Sequence, residues 1–181
     1  NMMLSFIMLI TGAQETLLDR VAAVVGDQVI TLTEVEDAAR IIWIAQKGSP
    51  SAVSAVPDQV RITVLDYLID QAVISQFVVR YGYEGARKDV DADYLRPFIE
   101  NFDSRDAYEA FLRRFQIGET EITRLFERET RNQDFIRERG RLRLLAAGSS
   151  LDSGLLQSAM DDVFAEMKVQ LEIRRSEVSG R

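Results

Sequence analysis

The side chains able to do chemistry in this chain are chiefly carboxylates, lysines, arginines and aromatic rings, because its 181 residues include neither histidine nor cysteine. Without cysteine there is no thiolate nucleophile, disulfide or Cys-type zinc site. Without histidine the commonest general base and transition-metal ligand is missing. Ser-His-Asp and Cys-His arrangements are therefore impossible. Asp89, Asp91 and Asp93 alternate in a way that invites calcium. A calcium loop counted from Asp89 needs glycine at its sixth position and glutamate at its twelfth. Those positions are Tyr94 and Glu100, so the turn residue is wrong, and helix capping explains the aspartates better. No glycine-rich phosphate loop and no paired carboxylates stand out. The residues imply no catalytic group, metal or cofactor.

Two other concentrations stand out. Phe98, Phe102, Tyr108, Phe111 and Phe115 crowd one stretch. Such rings build an ordinary core, and they also line grooves that accept adaptable apolar partners. Trp43 falls off the apolar stripe of its helix and is the single aromatic best placed for an exposed contact. These six residues are the candidate binding set. The second concentration is basic: Arg113, Arg114, Arg124, Arg128, Arg131, Arg137, Arg139, Arg141 and Arg143. Arg124, Arg128 and Arg131 share a helical face, as a nucleic-acid or acidic-membrane surface would require. Glu121, Glu127, Glu129, Asp134 and Glu138 are interleaved, so a solvated, salt-bridged helix is favoured. The net charge of −7 and pI near 4.8 also argue against nucleic acid as a partner.

These residues need helices to place them. Apolar residues at helical spacing predict helices over residues 33–46, 57–81, 91–102, 104–117 and 119–139. Gly48 ends the first, and Pro57 opens the second. The second is apolar around much of its circumference, which predicts a central, buried element. Pro97 should kink or divide the third. Residues 146–154, AAGSSLDSG, read as a linker. A helix over 155–168 and an alternating strand over 169–174 close the chain.

Before the helices, residues 17–36 spell LLDRVAAVVGDQVITLTEVE. Val21 to Val25 predicts a strand, Gly26-Asp27 a turn, and Val29 to Thr31 a second strand. Thr33 with Glu36 three residues later forms a predicted capping box. A hairpin this small must lie on something else. Further upstream, Met2 to Ile10 is a compact apolar run followed by small residues, as in the hydrophobic region of an export signal. It is too short to span a bilayer as a helix. Packing on the domain or in a neighbouring molecule's groove is the alternative.

Leu18-Asp19-Arg20-Val21-Ala22-Ala23-Val24-Val25-Gly26-Asp27-Gln28-Val29-Ile30-Thr31 resembles the opening of the N-terminal domain of SurA-type periplasmic chaperones. Val64-Leu65-Asp66-Tyr67-Leu68-Ile69-Asp70 and Lys88-Asp89-Val90-Asp91-Ala92-Asp93-Tyr94 are similar to later segments of that family, in the same order. The resemblance covers residues 17–145. It implies a mainly α fold: a SurA N-domain-like helical domain with a small β-sheet formed by an N-terminal hairpin and a C-terminal strand. Residues 155–181 would then return to the same domain, their strand pairing beside the opening one. The family's parvulin-type prolyl isomerase domains, which carry histidines, have no counterpart beyond the linker at 146–154. Isomerase activity is therefore not implied. The resemblance implies a periplasmic, non-enzymatic chaperone whose partners are unfolded or partly folded exported or outer-membrane polypeptides. The alternative is a structural or assembly module that binds a folded partner, or self-associates as a homodimer by exchanging terminal elements.

Overall fold

In a computed structural model of the chain, residues 19–48, 54–85 and 90–176 are described. The export-signal-like run at 2–10 and Asp89 lie outside them. The fold is mainly helical, with a small antiparallel sheet assembled from both ends of the described chain.

Strands β1 (Val21–Val25) and β2 (Gln28–Thr31) form the hairpin, turning at Gly26 with φ +57°. That conformation favours glycine. A bulge between Val21 and Ala23 breaks the alternation of β1. As a result Ala22 and Ala23 are both buried. Their small side chains let helix α2 lie close beneath, and Gln76 of α2 donates its amide to the Val25 carbonyl at 2.6 Å.

Helix α1 (Leu32–Lys47) follows β2 without a loop. Its capping box is built by Thr31 and Glu34, not by Thr33 and Glu36. The Thr31 N–H donates to Glu34 Oε2 at 2.9 Å, and Thr31 Oγ1 accepts from the Glu34 N–H at 3.2 Å. The box shifts by two residues because β2 runs directly into the helix, and the Leu32 N–H is taken by the Arg20 carbonyl at 2.7 Å. Glu36 is left to pair with Arg61 at 2.5 Å. Gly48 closes α1, donating to the Ile44 carbonyl at 2.7 Å.

Helix α2 (Asp58–Arg80) is the central element. Its length and apolar content alone would suit a membrane span. Here it packs against α1, α5, α6 and the sheet, with Leu65, Leu68, Ile69, Ala72, Val73, Phe77 and Val78 buried. After it comes a π-helical turn, Asp91–Leu95, continuing into α3 (Arg96–Ile99). Pro97 lacks the N–H that α-helical bonding to residue 93 requires. The wider turn just before it has the Arg96 N–H bonded to the Asp91 carbonyl. The capping role expected of Asp91 is not filled, since Val90 already has helical backbone and the end has no side-chain cap.

Helix α4 (Arg105–Phe115) is capped by Ser104 and ends on Gln116 in the left-handed region. Helix α5 (Glu119–Ala146) runs seven residues beyond the expected end at 139. Leu144 supplies the apolar contact that extends it. The predicted linker is mostly a tight turn. The Gly148 and Ser149 N–H groups bond back to Leu145 and Leu144, and Asp152 then caps α6 (Ser153–Lys168).

Helices α5 and α6 meet closely at Gly140, where a Cβ would lie 2.9 Å from Met160 Cγ and 3.2 Å from its backbone nitrogen. Gly140→Val is therefore expected to destabilise the fold by about 1–3 kcal/mol through overpacking. Urea denaturation checks this, and an unchanged or higher midpoint would mean that the helices separate at no cost.

Strand β3 is Ile173–Arg175, shorter and later than the alternation at 169–174 predicts. Gln170 and Leu171 still make helix-like turn bonds to Met167 and Lys168, and Val169 projects into solvent. The expected pairing is present: β3 lies antiparallel to β1, giving the order β2-β1-β3. Two ion pairs tie this return to α2, Lys168–Asp70 at 2.8 Å and Arg175–Asp66 at 2.5 Å.

Candidate functional site

The aromatic set separates into core and surface. Phe98 is 2% exposed, and Phe102, Tyr108 and Phe111 are also buried. Phe98 sits among the rings of Phe102, Phe126, Tyr108 and Phe111 at centroid distances of 5.7 to 6.4 Å. Burial pushes the Tyr108 phenol pKa up, helped by the Glu119 carboxylate that accepts its hydrogen bond at 3.0 Å. These four rings hold α3, α4 and α5 together and offer no surface in this conformation. Phe115 is half-buried, with the Arg40 guanidinium 3.6 Å from its ring centre and Arg114 on the ring as well. Trp43 is half-buried, not exposed as its off-stripe position suggested. Its indole N–H is enclosed without an acceptor among the described residues.

A groove of about 280 Å³ opens between α1, α2 and α5. Ala38 and Ile41 of α1, Leu68 of α2 and Leu125 of α5 form an apolar floor. Glu34 and Asp37 of α1 stand on one wall, and Glu121, Arg124 and Arg128 of α5 on the other. Each helix contributes the successive turns that follow its own N-terminus. Glu34 and Glu121 are the capping glutamates of those termini; the Gly118 N–H donates to Glu121 as the Thr31 N–H does to Glu34.

Asp37, one turn deeper, is the group that responds. Burial pushes its carboxyl up to about 6, against the pull of Arg40, and the charges of Glu121, Glu36 and Asp19 push the same way. Asp19 is held below the usual carboxylate range, first by its hydrogen bond from the Thr31 hydroxyl. Among the described residues, Asp37, Arg124 and Arg128 have no hydrogen-bond or ion-pair partner, and Arg128 Nε is enclosed without an acceptor. The expectation of a solvated, salt-bridged arginine face thus fails at Arg128, which is half-buried where it lines the groove. It describes Arg137, Arg141 and Arg143 well, since each pairs with an acidic neighbour.

Two other clefts are larger but are used up internally. The one between α2, α5 and α6, about 320 Å³, has Arg143 paired with Glu166 and Arg139 over the Tyr81 ring. The one beside the hairpin turn is lined by Gln76, which already braces β1. Asp91 and Asp93 lie in the π-helical turn, and no group of three or more metal-ligating side chains occurs among the described residues.

Sequence reasoning missed the groove. Glu34, Asp37, Ala38 and Ile41 repeat at helical spacing, as do Glu121, Arg124, Leu125 and Arg128. That spacing shows a shared face on each helix but not that the two faces look at each other. Compared with known families and curated proteins, the chain matches no family model and no curated sequence.

Proposed function

We propose that this chain is a non-enzymatic, chaperone-like protein that holds extended segments of unfolded polypeptide in the α1–α2–α5 groove. The observation that supports this most is a floor of apolar side chains flanked by unpaired polar groups of both kinds. Among the described residues Asp37 has no hydrogen-bond donor, and Arg124 and Arg128 have no acceptor. An extended main chain carries N–H and C=O groups in alternation, and can supply both. Recognition through the main chain tolerates many sequences, which a chaperone requires. The volume suits one anchoring side chain with its backbone, so binding is weak and transient. No bond is made or broken.

The SurA-type resemblance of residues 17–145 supports a periplasmic setting and exported or outer-membrane clients. The helical domain closed by a returning strand is consistent with that plan.

The test is twofold. The purified protein is expected to suppress aggregation of an unfolded outer-membrane β-barrel protein at modest excess. A client peptide carrying a photo-crosslinker is expected to label residues 34–41 and 121–128. No suppression, or labelling elsewhere, would overturn the reading. A second reading, self-association, is favoured by Leu142, Leu145, Leu151 and Leu155, all half-exposed at the turn end of the α5–α6 hairpin. Sedimentation showing a stable dimer that Leu145→Lys dissociates would support it.

A further inference from the structure

The chain enters the described fold beside the groove. The Asp19 carboxylate accepts the Thr33 N–H at 3.3 Å, and the Arg20 carbonyl accepts the Leu32 N–H at 2.7 Å. These bonds pin residues 19 and 20 to the first turn of α1, where Glu34, next in sequence to Thr33, is a groove wall. Asp19 is also close enough to act on Asp37, a second wall residue. Upstream of this entry, eight of the nine residues 2–10 are apolar, and residues 1–14 carry no charged side chain. Residues 11–18 link that run to Asp19 and span at most about 26 Å at 3.3 Å per residue. From Glu34 to Ile41 the groove runs about 10 Å at the helical rise of 1.5 Å per residue. About three residues of extended chain fill that length. The half-exposed Leu145 at the other end of α5 lies about 36 Å from Glu121, farther than residues 11–18 can stretch.

We propose that the apolar run of residues 2–10 seats in the α1–α2–α5 groove of its own chain and must be displaced before a client binds. The seating rests on where the chain enters the fold. The competition rests on the client-binding reading above and adds regulation to that same site. Apolar side chains such as Phe6 and Ile7 cover the floor of Ala38, Ile41, Leu68 and Leu125. The main chain between them supplies N–H and C=O groups to the polar walls. Having no charged side chain, the run sets no like charge against either the acidic or the basic residues of those walls. Tethering makes even a weak segment an effective occupant, because a short linker holds it at about millimolar effective concentration. A cut anywhere in residues 11–18 would release the groove.

The experiment uses the full chain, with mass spectrometry confirming that residues 2–10 are present. A photo-crosslinking side chain in place of Phe6 is expected to label residues 34–41 or 121–128 of the same chain. Mixing ordinary with isotopically heavy protein identifies which chain is labelled. Fluorescence anisotropy then measures binding of a short labelled peptide with a central Gln-Leu-Gln. The double substitution Phe6→Asp and Ile7→Asp should tighten that binding about tenfold, the gain from removing a competitor of ~0.1 mM intrinsic affinity held at ~1 mM. Circular dichroism checks that the variant is folded. Labelling outside the groove, labelling between chains, or equal peptide affinity for parent and variant would overturn the proposal while leaving client binding intact. Groove labelling with no peptide bound by either protein would uphold the seating and remove the client reading, with the competition built on it.

Discussion

Phe98→Ala is expected to destabilise the protein by about 3–5 kcal/mol, the cost of truncating a fully buried aromatic ring. Phe98 stands at the centre of the aromatic cluster, edge-on to Phe102, Tyr108, Phe111 and Phe126. It projects from a four-residue helix held between a π-helical turn and the Asn101 amide, which donates to the Pro97 and Phe98 carbonyls. So short a helix has little stability of its own, and the ring anchors the segment to α4 and α5. Removing it leaves a cavity that four rigid rings cannot collapse to fill. For a chain of this size the thermal midpoint should fall by on the order of 10 °C. Thermal and urea unfolding measure the loss. A variant that kept its stability but no longer bound peptide would show the opposite, that Phe98 is a client contact exposed on demand.

Asn132→Ala should cost about 2–4 kcal/mol, although the residue is polar and small. Asn132 is 0% exposed where α5 crosses α2. Its amide donates to the Gln71 carbonyl at 3.0 Å, to Gln71 Oε1 at 2.7 Å and to Ser75 Oγ at 3.0 Å. The Ser75 hydroxyl can in turn donate to Asn132 Oδ1 at 3.3 Å. Alanine leaves the partners enclosed without replacement, and each orphaned buried group costs about 1–3 kcal/mol. The bonds also set the register of α5 on α2, and with it the alignment of Arg124, Leu125 and Arg128 with α1 (the groove lies about two turns from Asn132). Urea denaturation should show the stability loss, and peptide anisotropy a weaker groove at temperatures where the variant remains folded. Asn132→Leu tests the origin of the effect: if it is as stable as the parent, packing and not hydrogen bonding holds the crossing.

How much of this was legible beforehand follows from the range of each interaction. Local signals worked where neighbours in sequence are partners in space. Gly26 turned the hairpin, Gly48 ended α1, Pro57 preceded α2, and the all-round apolar pattern of α2 placed it at the centre. They slipped where a distant group claimed a local one. Thr31 displaced Thr33 as the cap of α1 because the strand bonds through Arg20 to Leu32. The strand alternation at Val169 was overridden by continuation of the α6 turn, and pairing waited until Ile173 met Val25.

Composition and periodicity by themselves determined a mainly helical chain with an opening hairpin and a closing strand, without histidine or cysteine chemistry. Those properties reside in residue type and spacing, which folding does not alter. Only the tertiary structure decided which aromatic rings are core and which carboxylate and arginines have no partner among the described residues. An exposed ring and a buried one have the same neighbours in sequence. Glu34 to Ile41 and Glu121 to Arg128 become two walls of one groove only when α2 holds their helices side by side, across 79 residues of intervening chain.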